Sequence, residues 1–279
     1  IRTLRSRDLP KTTVDVVIHL AAQPLVKASY KSPIDTFQTN VIGTLNVLEA
    51  SKELAPKAIL IITTDKVYKN TDKTAGYVES DPLGGSDPYS ASKAAADIAT
   101  QSWRSSYGLT PISIARAGNV IGGGDFAENR LMPDLVNSFI ENKAPIIRYP
   151  EAIRPWQHVL DCLNGYLSLV EKQIKEGVNG EWNFSPPANP THSVADVATE
   201  AAKLWGSDKN WQQDAGEHKA ETKTLVLDST KARRELDWSE KLGFQESLAW
   251  TVDFYKRVSK GEQQRLVIQD QVNQFLSMN

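Results

Sequence analysis

Short apolar runs alternate along the first half of the chain with longer stretches in which apolar residues return every three or four positions. Residues 14–20 (V-D-V-V-I-H-L) read as a strand, followed by the loop A-A-Q-P. Over 33–54, Ile34, Phe37, Val41, Leu45 and Leu48 recur near helical spacing. Ser32 stands as the N-cap and Pro33 falls in the first turn. Residues 58–62 predict a second strand, buried on both faces, and 67–88 a loop rich in Gly, Pro, Asp and Asn. A helix from about Tyr89 to Tyr107, a third strand over 111–115 and a glycine-rich loop over 118–125 complete the series. Such alternation predicts βαβ units and a parallel sheet. The second half is less regular. It predicts helices over 131–142, 158–176, 194–204 (capped by Ser193), 230–238 and 245–258, and a short strand over 180–184. A smaller α/β subdomain packed on the sheet is expected there, and residues 261–279 are expected to be a loosely docked tail.

Composition narrows the function classes. The chain has 279 residues, 40% hydrophobic and 24% charged, with a formal net charge of -2. No basic field therefore points to nucleic acid or an acidic membrane surface. Cys162 is the only cysteine, so neither a disulfide within the chain nor a paired-cysteine zinc site is possible, and no metal is expected. No apolar run approaches the roughly 20 residues of a membrane span, and a cytoplasmic location is the expectation.

Two clusters can carry chemistry. In Y-S-A-S-K, Tyr89 and Lys93 are four residues apart on a helix, hence on one face. A phenol near pKa 10 is a poor base at neutral pH, but a neighbouring ammonium stabilises its phenolate. The pair is thus a device for moving a substrate hydroxyl's proton. The plainer alternative is an exposed helix that happens to carry both residues. In T-T-D-K, Thr63 to Lys66, a carboxyl and an amine follow directly on the second strand, at the sheet edge where parallel α/β proteins place ligands. Asp65 and Lys66 read as an acid and a base, or as a surface ion pair of little consequence. His19 reads as a packed core histidine, and His158 and Asp161 as residues that cap or orient the following helix. His192 and His218 stand in no supporting motif, and Gly122, Gly123 and Gly124 read as a flexible loop.

The motifs H-L-A-A-Q-P (19–24), T-N-V-I-G-T-L-N-V-L-E-A (39–50), T-T-D-K (63–66) and Y-S-A-S-K (89–93) together resemble the extended short-chain dehydrogenase/reductases of the NAD-dependent epimerase/dehydratase family. R-A-G-N-V-I-G-G-G-D (116–125) and R-P-W-Q-H-V-L-D (154–161) extend the likeness to roughly residues 14–255. T-T-D-K-V-Y, with G-Y-x-E-x-D-P-L-G-G-x-D-P-Y-S-A-S-K after it, is similar to the CDP-glucose 4,6-dehydratases. The resemblance implies a Rossmann-type parallel sheet binding NAD over 1–145, with 156–185 also packing on it, and a mainly substrate-binding subdomain over 146–279. It also implies that Ala21, Ala22, Gln23, Asn40 and Thr63 lie on the cofactor side, Asn40 as support. Thr64 meets the sugar, Tyr89 is the base for its 4-hydroxyl, and Lys93 binds the nicotinamide ribose and favours the phenolate.

The implied reaction is redox-neutral: oxidation at C4, elimination of water across C5 and C6, and return of hydride to C6. Asp65 protonates the leaving oxygen. Lys66, which stands where relatives acting on dTDP-glucose carry glutamate, removes the C5 proton or remains charged and stabilises the enolate. Asn119, Asn129, Arg130 and Arg154 contact the substrate, Arg154 at its diphosphate. The product feeds deoxysugar and surface polysaccharide synthesis, and helices 33–54 and 89–107 are the pair that relatives use to form a homodimer or a dimer of dimers. The family's G-x-x-G-x-x-G turn and the acidic residue after it are not in the chain, so the N-terminal strands of the sheet are expected to be missing. Other readings are a nucleotide-sugar epimerase, an inverting dehydratase acting on UDP-N-acetylglucosamine, and an inactive nucleotide-sugar binding module. The 24 positions from Asp65 to Tyr89 (89 − 65), with D-P-L-G-G between them, favour the CDP-glucose type over the inverting dehydratase.

Overall fold

The computed structural model describes every residue except 10–11, 72, 74, 109, 188, 190, 217–222 and 279; His218 therefore lies outside the described residues. The chain opens with strand β1 (Val16–His19), helix α1 (Val26–Lys31) and helix α2 (Pro33–Phe37). A π-helical turn (Gln38–Ile42) then carries α2 without a break into α3 (Gly43–Leu54). Next come β2 (Ala58–Ile62), a tight 3-10 turn (Asp65–Val67), α4 (Pro88–Tyr107), β3 (Ile112–Ala117) and β4 (Val120–Ile121). The second half runs through α5 (Leu131–Ile140), β5 (Ile146–Ile147), β6 (Ile153–Arg154), β7 (Gln157–His158), α6 (Val159–Glu176) and β8 (Gly180–Phe184). It ends with β9 (His192–Ser193), α7 (Val194–Trp205), β10 (Gln212–Gln213), α8 (Thr230–Leu236), α9 (Phe244–Ser259) and α10 (Gln264–Ser277).

The main sheet has the order β1-β2-β3-β8 and every pairing is parallel. The alternation along β2 explains its two covers. Ala58 and Leu60 point into a core with α6 and α8, containing Tyr166, Leu169, Phe184 and Trp238. Ile59 and Ile61 point the other way, with Ile112, Ile114 and Leu48 of α3. A strand covered on both faces must be apolar at every position, which is why 58–62 reads as one run. A second core gathers α5, α7 and α9 around Leu135, Phe139, Ala198, Leu248 and Val252.

Caps set several boundaries. Asp87 accepts from Ser90 N (3.0 Å) at the start of α4, with Pro88 in the first turn. Ser193 and Asp196 form a reciprocal capping box on α7. Ser32 is the N-cap of α2 by position, but its hydroxyl makes no cap bond.

Two expectations change. The C-terminal residues form helix α10, which buries Val267, Gln271 and Phe275 at successive i+4 positions; Gln271 Nε2 donates to Trp250 O (2.8 Å), and Arg257 of α9 reaches Glu262 and Asp270. Its apolar residues are sparse because one narrow stripe suffices. The glycine loop is also not loose. A Cβ on Gly123 would lie 2.1 Å from Phe254 and one on Gly122 2.5 Å from Val159, so these glycines permit close packing. Among the described residues no helix is long and apolar enough to cross a membrane.

Beneath the strand ends lies a buried ionic network. Arg116 of β3 donates from Nε to Asp97 Oδ2 and from Nη2 to Asp97 Oδ1, both at 2.8 Å, and both side chains are buried. Arg116 Nη1 also donates to Tyr68 OH (2.9 Å), whose hydroxyl donates to Asn183 Oδ1 (2.7 Å) on β8. Removing one partner leaves an uncompensated buried charge. Asp97→Ala or Arg116→Ala should each lower stability by about 3–5 kcal/mol in chemical denaturation, whereas the apolar pair Asp97→Leu with Arg116→Met costs much less. Equal losses in the single and double variants would show that the pairing is not what matters.

Candidate active site

The sequence-predicted residues converge at the carboxyl ends of the parallel strands, where such sheets leave room for ligands. Asn40, in the π-helical turn, fixes the loop after β1. Its Oδ1 accepts from Gln23 N (2.8 Å), and its Nδ2 donates to Gln23 O (3.1 Å) and Ser92 Oγ (2.8 Å). One buried amide thus ties Ala21, Ala22 and Gln23 to α4, between Tyr89 and Lys93. The Gln23 side chain is itself held by Thr36 Oγ1 and Leu25 N. A π-helical turn of this kind often marks a functional site. Helix α1, not anticipated from the sequence, contributes Ser29, whose hydroxyl accepts from Tyr89 N (3.1 Å).

At the end of β2 the four residues of T-T-D-K divide. Thr63 donates through Oγ1 to Asp97 Oδ2 (3.1 Å). It therefore faces the ionic network beneath the site, where Asp97 accepts its hydroxyl. Thr64 caps the 3-10 turn, and its hydroxyl donates to Asp65 Oδ1 (2.9 Å). Asp65 is 2% exposed and its Oδ2 has no hydrogen-bond partner among the described residues. Burial pushes this carboxyl above the ordinary carboxylate range, against the opposing pull of Lys66, the Thr64 bond and Arg154. Lys66 is half-buried beside it. The pair is thus not an exposed surface pair.

Tyr89 and Lys93 lie on one face of α4, both buried. The Lys93 ammonium donates to Ile62 O (2.8 Å) at the end of β2. Burial draws its pKa down to about 8, with Asp97 opposing. Burial pushes the Tyr89 phenol up to about 12; the hydrogen bond with Thr64 lowers it and the charge of Asp65 raises it further. The expected phenolate is therefore not favoured in this geometry, since the ammonium is engaged by a carbonyl and the phenol is dry. The Ile62 bond occupies one of three ammonium N–H donors. A buried cation with donors to spare at the strand ends fits a ribose diol, so the chemistry of the site suits the nicotinamide end of NAD. Lys93, Tyr89, and the Gln23 loop held by Asn40 are the residues that would hold it.

The remaining residues come from the second half and its connections. Asn119 is half-buried after β3 and its carbonyl accepts from Gln157 N (3.3 Å). Asn129 adopts a left-handed backbone (φ 64°). Its side chain accepts from Lys27 Nζ (2.6 Å) across the cleft. Arg130, at the N-cap of α5, is exposed, and its charge is felt at Tyr89. Arg154 is buried on β6, with Nη1 donating to Ile153 O (2.7 Å) and Lys223 O (3.3 Å). The described histidines, His19, His158 and His192, are structural. His19 bonds Thr44 Oγ1 (3.1 Å), His158 caps α6 through Nδ1 and Leu160 N (3.3 Å), and His192 stacks on Phe244. Asp161 accepts from Lys241 N (2.7 Å) and Leu242 N (3.2 Å). Sequence reasoning missed Ser29, Ser92, Asp97, Arg116 and Gln157. Only Asp97 and Arg116, charges flanked by small or apolar residues, carried a visible signal.

The parallel sheet with a tyrosine and lysine one helical turn apart over its strand ends defines an extended short-chain dehydrogenase/reductase. The chain belongs to the GDP-mannose 4,6 dehydratase family, whose model matches residues 5–251. It is 40% identical over 275 residues to the CDP-glucose 4,6-dehydratase of Salmonella typhimurium, covering 94% of this chain and 76% of that relative. It is 30% identical over 258 residues to the dTDP-glucose 4,6-dehydratase of Haemophilus influenzae, covering 86% and 76% respectively. Among solved structures, dTDP-glucose 4,6-dehydratase from Bacillus anthracis, in complex with NAD, superposes with a TM-score of 0.75 at 26% identity, covering 88% of this chain and 74% of that one. The dTDP-glucose 4,6-dehydratase of Streptomyces venezuelae shares the fold, with a TM-score of 0.81 at 24% identity over 92% of this chain and 76% of that one.

The Asp65 carboxyl yields a stability prediction. Between its unfolded value of 3.8 and its raised native value, the folded chain keeps a proton that the unfolded chain has released. Stability therefore falls as pH rises across that interval. Asp65→Asn removes this dependence. The variant should melt at a higher temperature than the parent at about pH 8, and the gap should close as pH falls toward about 4. Thermal melts across that range check it; a gap that widens on acidification would show that Asp65 is not held protonated.

Proposed function

We propose that this chain dehydrates CDP-glucose to CDP-4-keto-6-deoxyglucose with NAD as cofactor. The observation that carries the reading is the buried, partnerless oxygen of Asp65 at the end of β2 beside Lys66, with Tyr89 of α4 near it and Lys93 one helical turn further along α4. The identity to the Salmonella enzyme supports the choice of nucleotide. When bound, NAD supplies the acceptor for two electrons from C4 and returns them at C6.

The chain's own residues move the protons. Tyr89 takes the proton of the 4-hydroxyl, with Thr64 orienting that hydroxyl. The substrate and a ribose diol on Lys93 must offset the burial that now holds the phenol at about 12. The 4-ketone acidifies C5–H. Lys66, as the free amine, removes that proton, the C5–H electrons form the C5–C6 double bond, and the 6-oxygen leaves as water with the proton of Asp65; Lys66 then returns its proton to C5 as C6 is reduced. Asp65 suits this role because its burial keeps the proton in place until the leaving oxygen arrives. Asn119, Asn129, Arg130 and Arg154 hold the nucleotide diphosphate, Arg154 by a charge-assisted pair. On the outer faces of α2, the π-helical turn and α4, Ile34, Ile42 and Ile98 stand exposed. We take these helices to pair two copies; sedimentation at the mass of a single chain would exclude this.

Incubation of NAD-loaded protein with CDP-glucose should yield a product with the absorbance of a 4-keto sugar in base. No such product from any nucleoside-diphosphate glucose would overturn the assignment. In the same assay Lys66→Glu should change the rate of elimination while C4 oxidation stays within a few-fold. Loss of C4 oxidation with elimination intact would invert the division of roles.

A further inference from the structure

The R-P-W-Q-H segment contributes more than Arg154. Gln157, on β7 and 2% exposed, directs both amide hydrogens to main-chain carbonyls: Nε2 donates to Phe184 O (2.7 Å) at the end of β8 and to Gly118 O (3.2 Å) after β3. Its own backbone N–H donates to Asn119 O (3.3 Å). One side chain and one N–H therefore fix the turn that follows β3.

That turn packs on Asp65. A Cβ added at Gly118 would lie 2.4 Å from Asp65 Oδ2, 2.8 Å from Asp65 Cγ and 2.8 Å from Pro155 Cγ. The oxygen without a partner thus faces the bare Cα of Gly118, which donates nothing, while the Pro155 ring crowds the same Gly118 position. We propose that Gln157 is a positioning residue for the elimination: by gripping the Gly118 carbonyl it holds the Gly118 Cα against Asp65 Oδ2 and keeps this carboxyl a proton donor. The proposal rests on the reading of Asp65 as the acid.

The physical reason is the environment of that oxygen. A carboxylate is stabilised by donors and water and destabilised by a dry, apolar wall. Around Asp65 the ionisable groups are Lys66 of its own turn, Arg154 of β6 and Tyr89 of α4. Arg154 favours ionisation, and so does Lys66 whenever it carries its extra proton. The Cα of Gly118, packed against Oδ2, opposes them, and it does so only while the turn cannot rotate to present a peptide N–H or admit water. In the elimination the Asp65 O–H bond breaks as its proton joins the 6-oxygen, the C6–O bond gives its electron pair to that oxygen, and the C5 proton goes to Lys66. Asp65 must hold its proton at that moment.

Three variants test this: Asp65→Asn, Gln157→Leu and Gly118→Ala. Infrared titration of substrate-free protein reads the protonated carboxyl band that Asp65→Asn removes. Gln157→Leu should lose this band at a pH lower by about one unit or more. With CDP-glucose and NAD, Gln157→Leu and Gly118→Ala should slow elimination roughly 10- to 100-fold, so that 4-keto-glucose accumulates, with C4 oxidation within about twofold. If Gln157→Leu does not fold, Gly118→Ala decides by that partition. Parental titration and partition in the folded variants would overturn the proposal, as would equal slowing of both steps with the band unshifted. Elimination at the parental rate in Asp65→Asn would instead overturn Asp65 as the acid, and this role with it.

Discussion

The bidentate pair between Asp97 and Arg116 joins the elements that the site depends on. Asp97 stands one helical turn beyond Lys93 on α4 and receives the hydroxyl of Thr63 at the end of β2. Arg116 comes from β3 and passes the connection through Tyr68 to Asn183 on β8. One dry ion pair therefore sets the height of α4 on the sheet, and with it where Tyr89 and Lys93 stand relative to Thr64 and Asp65. A buried ion pair is a poor source of net stability because desolvation offsets most of the attraction. Its value lies in register: two planar groups with two parallel bonds tolerate little sliding.

Above the pair, the reacting groups are held in states that water would not favour. Burial raises the Asp65 carboxyl and the Tyr89 phenol and lowers the Lys93 ammonium, so each is drawn toward its neutral form. The surrounding polar residues do the opposite work of positioning. Asn40 and Ser29 satisfy loops and helix starts instead of touching the charged groups. The reacting carboxyl keeps one oxygen without a hydrogen-bond partner among the described residues, and a substrate hydroxyl can complete that site.

Much of the fold was legible because its elements are strongly patterned. Strands 58–62 and 180–184 appear with the expected bounds, and α4, α6, α7 and α9 within one or two residues of theirs. Burial on both faces forces an unbroken apolar run, and caps such as Ser193 announce themselves locally. Helix α10 was not legible, because three residues four apart suffice to dock it on α9 and such a stripe is faint. Nor was α1, six residues long, whose role is to deliver Ser29 to a helix start. The glycines at 122 and 123 looked like flexibility because a sequence does not show that Phe254 and Val159 arrive against them.

For the site, the sequence alone determined which chemistry is possible: a phenol and an amine on one helical face, and a carboxyl and an amine at the end of a buried strand. Those relations are local, set by the 3.6-residue turn and by strand polarity. The protonation each group favours was decided only by the tertiary structure, since it depends on dielectric and on partners distant in the chain. The Lys93 ammonium turned to Ile62, Thr63 turned to Asp97, and Asp65 was enclosed by Gly118, held from Gln157. None of these follows from spacing, because each requires two separately folded segments to meet within a few ångströms.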